Sequence, residues 1–130
     1  MGDPESEVVL PRIKSDFLQL LISLKNGSLE KYNLIIDDLA TATVFLVSGG
    51  YPEDYQKSKQ IYGLDSITES IVFHAGAVKK DDKIITSGGR VLAVTSSAET
   101  IDKALKKSYS SIEKISFENM NYRKDIGFDL

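Results

Sequence analysis

Residues 41–48, TATVFLVS, run apolar and β-branched straight into Gly49-Gly50, and a second Ser-Gly-Gly triplet stands at residues 87–89 after another β-branched run. Branching at Cβ stiffens side chains and favours extended backbone, whereas glycine admits the positive φ that L-residues avoid. The chain is therefore committed to strands that end in abrupt, side-chain-free turns. Residues 41–48 are apolar on both faces, so this strand is expected to be buried.

Helical periodicity flanks the strand-rich centre. Residues 11–26, PRIKSDFLQLLISLKN, set Ile13, Phe17, Leu21 and Leu24 at helical spacing, with Pro11 suited to a first turn and Gly27 to a C-terminal cap, and predict a helix over 11–26. Residues 28–40 read as a connection, EDYQKSKQIYG as a polar loop, and SIVFHAG as a second strand. Turn signals at Asp81-Asp82 and Gly88-Gly89 divide residues 77–97 into pieces that predict a three-stranded antiparallel meander. Ser96 lies three residues before Glu99, a capping-box spacing, and predicts a helix over 97–114 with Ile101, Leu105 and Ile112 on one face. Residues 115–130 keep Phe117, Tyr122, Ile126 and Phe128 in a polar frame and are expected to pack back as a strand or ordered tail. Strands at 41–95 between two helices give an α+β class in a single domain.

Composition narrows the chemistry. With 130 residues, 42% of them apolar, the chain can bury a core without cross-links. A net charge of -3 supplies no global field for nucleic acid or an anionic membrane, so any anion site must be local. The absence of cysteine removes thiolate metal sites and thiol catalysis, and one histidine leaves little material for a His-rich metal site or a histidine triad. No stretch approaches the roughly 20 apolar residues that span a bilayer, and the acidic start MGDPESEVVLPR is unlike a secretory signal.

The candidate site is the pair of triplets. Glycine pairs after strands have a plain explanation as tight turns, but side-chain-free backbone also lets N–H groups close around a phosphate or carboxylate. Ser48, Gly49, Gly50, Gly88 and Gly89 could supply that backbone, and Arg90 adds a guanidinium that forks onto two phosphate oxygens. Tyr51, Tyr55, Lys57 and Lys59 follow in a polar loop where a solvated surface is the simpler reading. His74, at a strand end, reads as a half-buried, hydrogen-bonded residue, and the lysines of the second helix as a solvated face. Asp3 and Glu5 flank Pro4 in an ordinary turn, or sit at a seam with a metal–nucleotide site.

In order and at matching spacing, GDPESEVVLPRIKSDFLQLL, VSGGYP, VFHAGAV, TSGGRVLAVTSSAETIDKA and YRKDIG resemble the C-terminal part of the phosphoribosylamine–glycine ligases, also called glycinamide ribonucleotide synthetases, of the ATP-grasp superfamily. The resemblance spans essentially the whole chain. It implies a small antiparallel barrel- or sandwich-like sheet with packed helices. It also implies a cytoplasmic ligase of purine biosynthesis that activates glycine with ATP as an acyl phosphate for attack by 5-phosphoribosylamine. Magnesium or manganese and ATP would be held by upstream ATP-grasp domains of the same chain, through a Glu and an Asn preceding the Gly-Asp-Pro-Glu stretch. On that reading residues 1–10 are an extended arm from those domains, Met1 is an added start, Asp3 and Glu5 mark the seam, and the fragment holds no metal and is inactive alone. Ser48, Gly49, Gly50, Tyr51, Lys57, Gly88, Gly89 and Arg90 are then expected to face the sugar-phosphate amine. The alternatives are a free-standing sugar-phosphate or nucleotide module and a domain that serves mainly to contact its neighbours. Family members commonly have Gly where this chain has Glu53 and Ser58, and Thr where it has Ala77, so the loop around Tyr55 and Lys57 is expected to be shaped differently.

Overall fold

The computed structural model describes Gly2 and residues 4–128; Asp3 lies outside the described residues. Its centre is an antiparallel pair, β1 (Ala40–Ser48) and β5 (Arg90–Ala98), flanked by β2 (Ile71–His74) and β6 (Met120–Asn121) in the order β2-β5-β1-β6. A hairpin of β3 (Ala77–Lys80) and β4 (Lys83–Thr86) forms a separate two-stranded sheet. This is α+β with two antiparallel sheets, sandwich-like, and no barrel closes among the described residues.

The expected three-stranded meander is thus corrected. Asp81 and Asp82 do take positive φ, 47° and 59°, and close the β3–β4 turn, but β5 leaves β4 to pair with β1 and β2. The long, buried β1 offers β5 a full-length partner, which four-residue β4 cannot.

Side chains along β1 alternate. Ala42, Val44, Leu46 and Ser48 are buried, while Thr41, Thr43, Phe45 and Val47 are half-buried, so only one face is fully covered where burial of both was expected. The covering element is α3 (Ile101–Ile112), which packs on Ala42, Val44, Leu46, Leu92 and Val94 through Ala104, Leu105 and Ile112. Each large side chain removed from water there contributes about 1.5–3 kcal/mol. Hydroxyls stitch the same seam: Ser108 Oγ donates to Ser96 Oγ at 2.9 Å and to the Ala42 carbonyl at 3.3 Å, and Ser70 bridges Ser96 and Ser111 at 2.7 and 2.6 Å. Ser96 is therefore a buried residue of β5, and the capping role expected for it falls to Thr100, whose side chain accepts from the Lys103 N–H at 3.3 Å.

The first forty residues differ most from expectation. In place of an extended arm, Ser6–Val9 form a helical turn, α1, followed by a 3-10 turn over Leu10–Arg12. The helix expected from Pro11 begins only at Phe17: α2 spans Phe17–Lys25, capped by the Asp16 carboxylate on the Gln19 N–H and ended by Gly27 at φ +64°. Ile13 is extended and bridges Ile36, so its helical spacing was fortuitous. That bridge, with Lys14 N–H to the Ile35 carbonyl, Asp37 N–H to the Arg12 carbonyl and a Lys14–Asp37 ion pair of 2.7 Å, ties off residues 14–36 as an excursion. The hydrogen bond from Lys14 and the N–H of Leu39 hold the Asp37 carboxyl below its ordinary value. Within the excursion Phe17, Leu18, Leu21, Ile22 and Leu24 stay exposed, as do Leu34, Ile35 and Ile36.

Candidate functional site

The two glycine turns meet. Ser48 N–H donates to the Gly89 carbonyl at 2.8 Å, and Ser48 Oγ donates to the Gly88 carbonyl at 3.0 Å. Ser48 is buried with both donors spent on the opposite turn, so it braces the pair. Gly88 backs onto Gly76, whose carbonyl accepts the Gly88 and Ser87 N–H groups. Gly50 takes φ +94° hard against the Asp54 carbonyl, a conformation and a space that exclude a side chain. Gly49 lies on the backbone of Asn119, and the Tyr51 ring lies directly over Gly89. The β1–β6 pairing engages Gly49 against Asn119, whereas among the described residues no backbone hydrogen bond is made by the N–H groups of Gly50 and Gly89. Backbone donors left in this state at a turn are the chemical basis of a concave anion site.

A β-bulge decides where Arg90 goes. Leu46 pairs with Leu92, but Val47 pairs with Arg90, so the ladder slips by one residue at Val91. Unslipped, Arg90 would lie opposite Ser48, on the face that α3 buries; the slip sets it opposite Val47 on the other face. There its guanidinium lies over the Phe45 ring, 5.3 Å from the centroid, a cation–π arrangement that keeps the charge at the surface. Beside Phe45 opens a cleft of about 440 Å³ lined by Phe45, Val47, Tyr51, Asn121, Tyr122 and Arg123. The structure thus brings Tyr51, Gly89 and Arg90 to one region of the sheet.

Lys57 stands further out. Tyr55 meets Tyr51 edge-on with centroids 5.9 Å apart, and Lys57 Nζ lies 5.8 Å from the Tyr55 centroid, so an aromatic relay carries the loop away from the glycines. Lys59, expected as a solvated lysine, is the residue that fastens this loop. Its half-buried amine pairs with Glu118 at 2.8 Å, beside the Asn119 turn on which Gly49 rests. His74 is exposed, in place of the half-buried histidine expected. Sequence reasoning missed Phe45 and Asn119: the first lies inside a run that reads as core, and the second contacts Gly49 across seventy residues with no local signal.

Glu5 is exposed at the N-terminus of α1 and lines a second, apolar cleft of about 290 Å³ that shares Pro4, Thr43, Phe45 and Ile126 with the first. The proposed seam residue therefore borders the same side of β1 as Arg90. Among the described residues no three Asp, Glu or His side chains converge. Among the described residues, too, no helix is long and apolar enough to cross a membrane.

Comparison with known proteins follows the same outline. The family model described as phosphoribosylglycinamide synthetase, C domain, matches residues 41–129. A phosphoribosylamine–glycine ligase of Caldanaerobacter subterraneus is 42% identical over 125 residues, which is 96% of this chain and 30% of that protein. The trifunctional purine biosynthetic protein adenosine-3 of Bos taurus is 41% identical over 131 residues, 98% of this chain and 13% of its own length. The crystal structure of a phosphoribosylamine–glycine ligase from Thermotoga maritima superposes with a TM-score of 0.83 at 33% identity, covering 96% of this chain and 31% of that one. The chain thus spans about a third or less of these relatives. With the family model matched over residues 41–129 and the fold shared with a solved ligase, the chain belongs to the phosphoribosylglycinamide synthetase C-domain family.

Proposed function

We propose that this chain is the substrate-closing part of a phosphoribosylamine–glycine ligase. The complete enzyme would join glycine to 5-phosphoribosylamine in the cytoplasm, with ATP going to ADP and phosphate through a glycyl phosphate, giving glycinamide ribonucleotide for purine synthesis. The observation that carries the reading is the junction of the two Ser-Gly-Gly turns, with unengaged N–H groups at Gly50 and Gly89 and with Arg90, next in sequence to Gly89, lying over the Phe45 ring. Such donors, fixed before the substrate arrives, stabilise an anion without reorganising at the moment of binding. In this reading they grip the 5-phosphate or ribose of the amine substrate, and the Tyr51 ring shields the labile acyl phosphate from water. ATP and its magnesium or manganese belong to upstream ATP-grasp domains, which the exposed apolar side chains of α2 and residues 34–36 would meet. An apolar surface of that kind on one excursion is the usual mark of an interface.

The experiment is Arg90→Ala in the complete ligase. Loss of a charged, forked contact should raise the KM for 5-phosphoribosylamine by about tenfold or more and leave the KM for ATP unchanged. An unaltered KM for the amine would remove Arg90 from the site.

A further inference from the structure

We infer that Thr43 and Thr95 are positioning residues for the ligase reaction: their paired hydroxyls hold the Glu7 carbonyl, and through it the helical turn that brings Glu5 to the rim of the cleft. This rests on the reading of Glu5 as the seam with the nucleotide-binding half. A helical carbonyl at Glu7 would accept from the N–H four residues on, and that residue is Pro11, which has none. The orphaned oxygen is taken by the sheet: Thr95 Oγ1 lies 3.0 Å and Thr43 Oγ1 3.3 Å from it, and the two hydroxyls are 2.7 Å apart. Thr43 and Thr95 are direct cross-strand partners of β1 and β5, and Thr95 is 1% exposed. Two hydroxyl protons cannot fill all three contacts of this triangle: one hydroxyl donates to the Glu7 carbonyl, and the other donates to that hydroxyl and orients it.

α1 is a four-residue turn, too short to hold its own direction, and the threonine clasp fixes its pitch against the sheet. Thr43 is also a wall of both clefts, one of which Glu5 lines. The sheet that presents Arg90 on one segment therefore sets Glu5 on another, and the hydroxyl pair is the joint between them.

The test is Thr95→Val in the complete ligase, with Thr43→Val as a second variant at a half-buried position and Thr95→Ser as the conservative control. The expected result is a fall in kcat of about tenfold, with the KM for 5-phosphoribosylamine changed less than about twofold and recovery in Thr95→Ser. A wild-type kcat in both valine variants, or an equal loss in Thr95→Ser, overturns the inference, as does a loss that only tracks the folded fraction in a thermal melt. Glu5→Gln separates the two levels. If it lowers kcat and the valine variants do not, the positioning role fails alone; if it leaves kcat at the wild-type value, the seam reading fails and the inference with it.

Discussion

Gly89 has no room for a methyl group, because the Tyr51 ring occupies the place where a Cβ would stand. The obstacle is an exposed side chain that can swing aside, so Gly89→Ala should cost the fold less than about 1 kcal/mol in a thermal melt. In the complete ligase the displaced ring should still raise the KM for 5-phosphoribosylamine severalfold; a wild-type KM would place Tyr51 outside the site. Ser58 presents the reverse case. It takes φ +61°, and its N–H is held by the Thr86 carbonyl at 2.7 Å, so the chain keeps a left-handed backbone at a residue other than Gly. A left-handed L-residue costs roughly 1–2 kcal/mol, partly offset by the greater unfolded-state freedom of glycine. Ser58→Gly should therefore raise stability by about 0.5–1 kcal/mol in a denaturant titration. A loss of stability would mean that the serine hydroxyl contributes more than the backbone costs.

Among the elements, α2 is the one whose sequence and environment disagree. Its leucines follow a helical period, yet Leu18 is 63% and Leu24 52% exposed, since the excursion closed by Ile13 and Ile36 holds the helix away from the sheet. A paired substitution, Leu21→Glu with Leu24→Glu, should change the melting free energy of this chain alone by no more than about 0.5 kcal/mol, as expected of surface positions. The same pair in the complete ligase should lower its thermal midpoint and its activity together, because two carboxylates would be buried against an apolar partner. Equal behaviour in both settings would show that nothing docks there. α3 is the contrasting element: its apolar period was legible as a buried face and is one, because Ala42, Val44 and Leu46 of β1 lie beneath it.

For the molecule as a whole, the joined turns and the apolar excursion lie on a chain that matches about three-tenths of the length of the Caldanaerobacter ligase. Titration of this chain with glycinamide ribonucleotide in a calorimeter should accordingly give weak or no heat, since the rest of the pocket would come from the upstream domains. Submicromolar affinity would instead favour a self-sufficient sugar-phosphate module. The chain's own residues determined its local geometry. β-branched runs became strands, and Asp81-Asp82 and the glycine pairs became turns. Those outcomes depend on sterics within a few residues. The tertiary structure decided the pairing of β5 with β1 in place of β4, the contact of Gly49 with Asn119, and the orphaned Glu7 carbonyl finding Thr43 and Thr95. Above all it decided the one-residue slip at Val91 that turns Arg90 away from the α3 face. Register and bulges follow from which distant side chains must share a core, and a period-two strand converts a single-residue slip into a change of face, so local sequence alone could not assign Arg90 its side of the sheet.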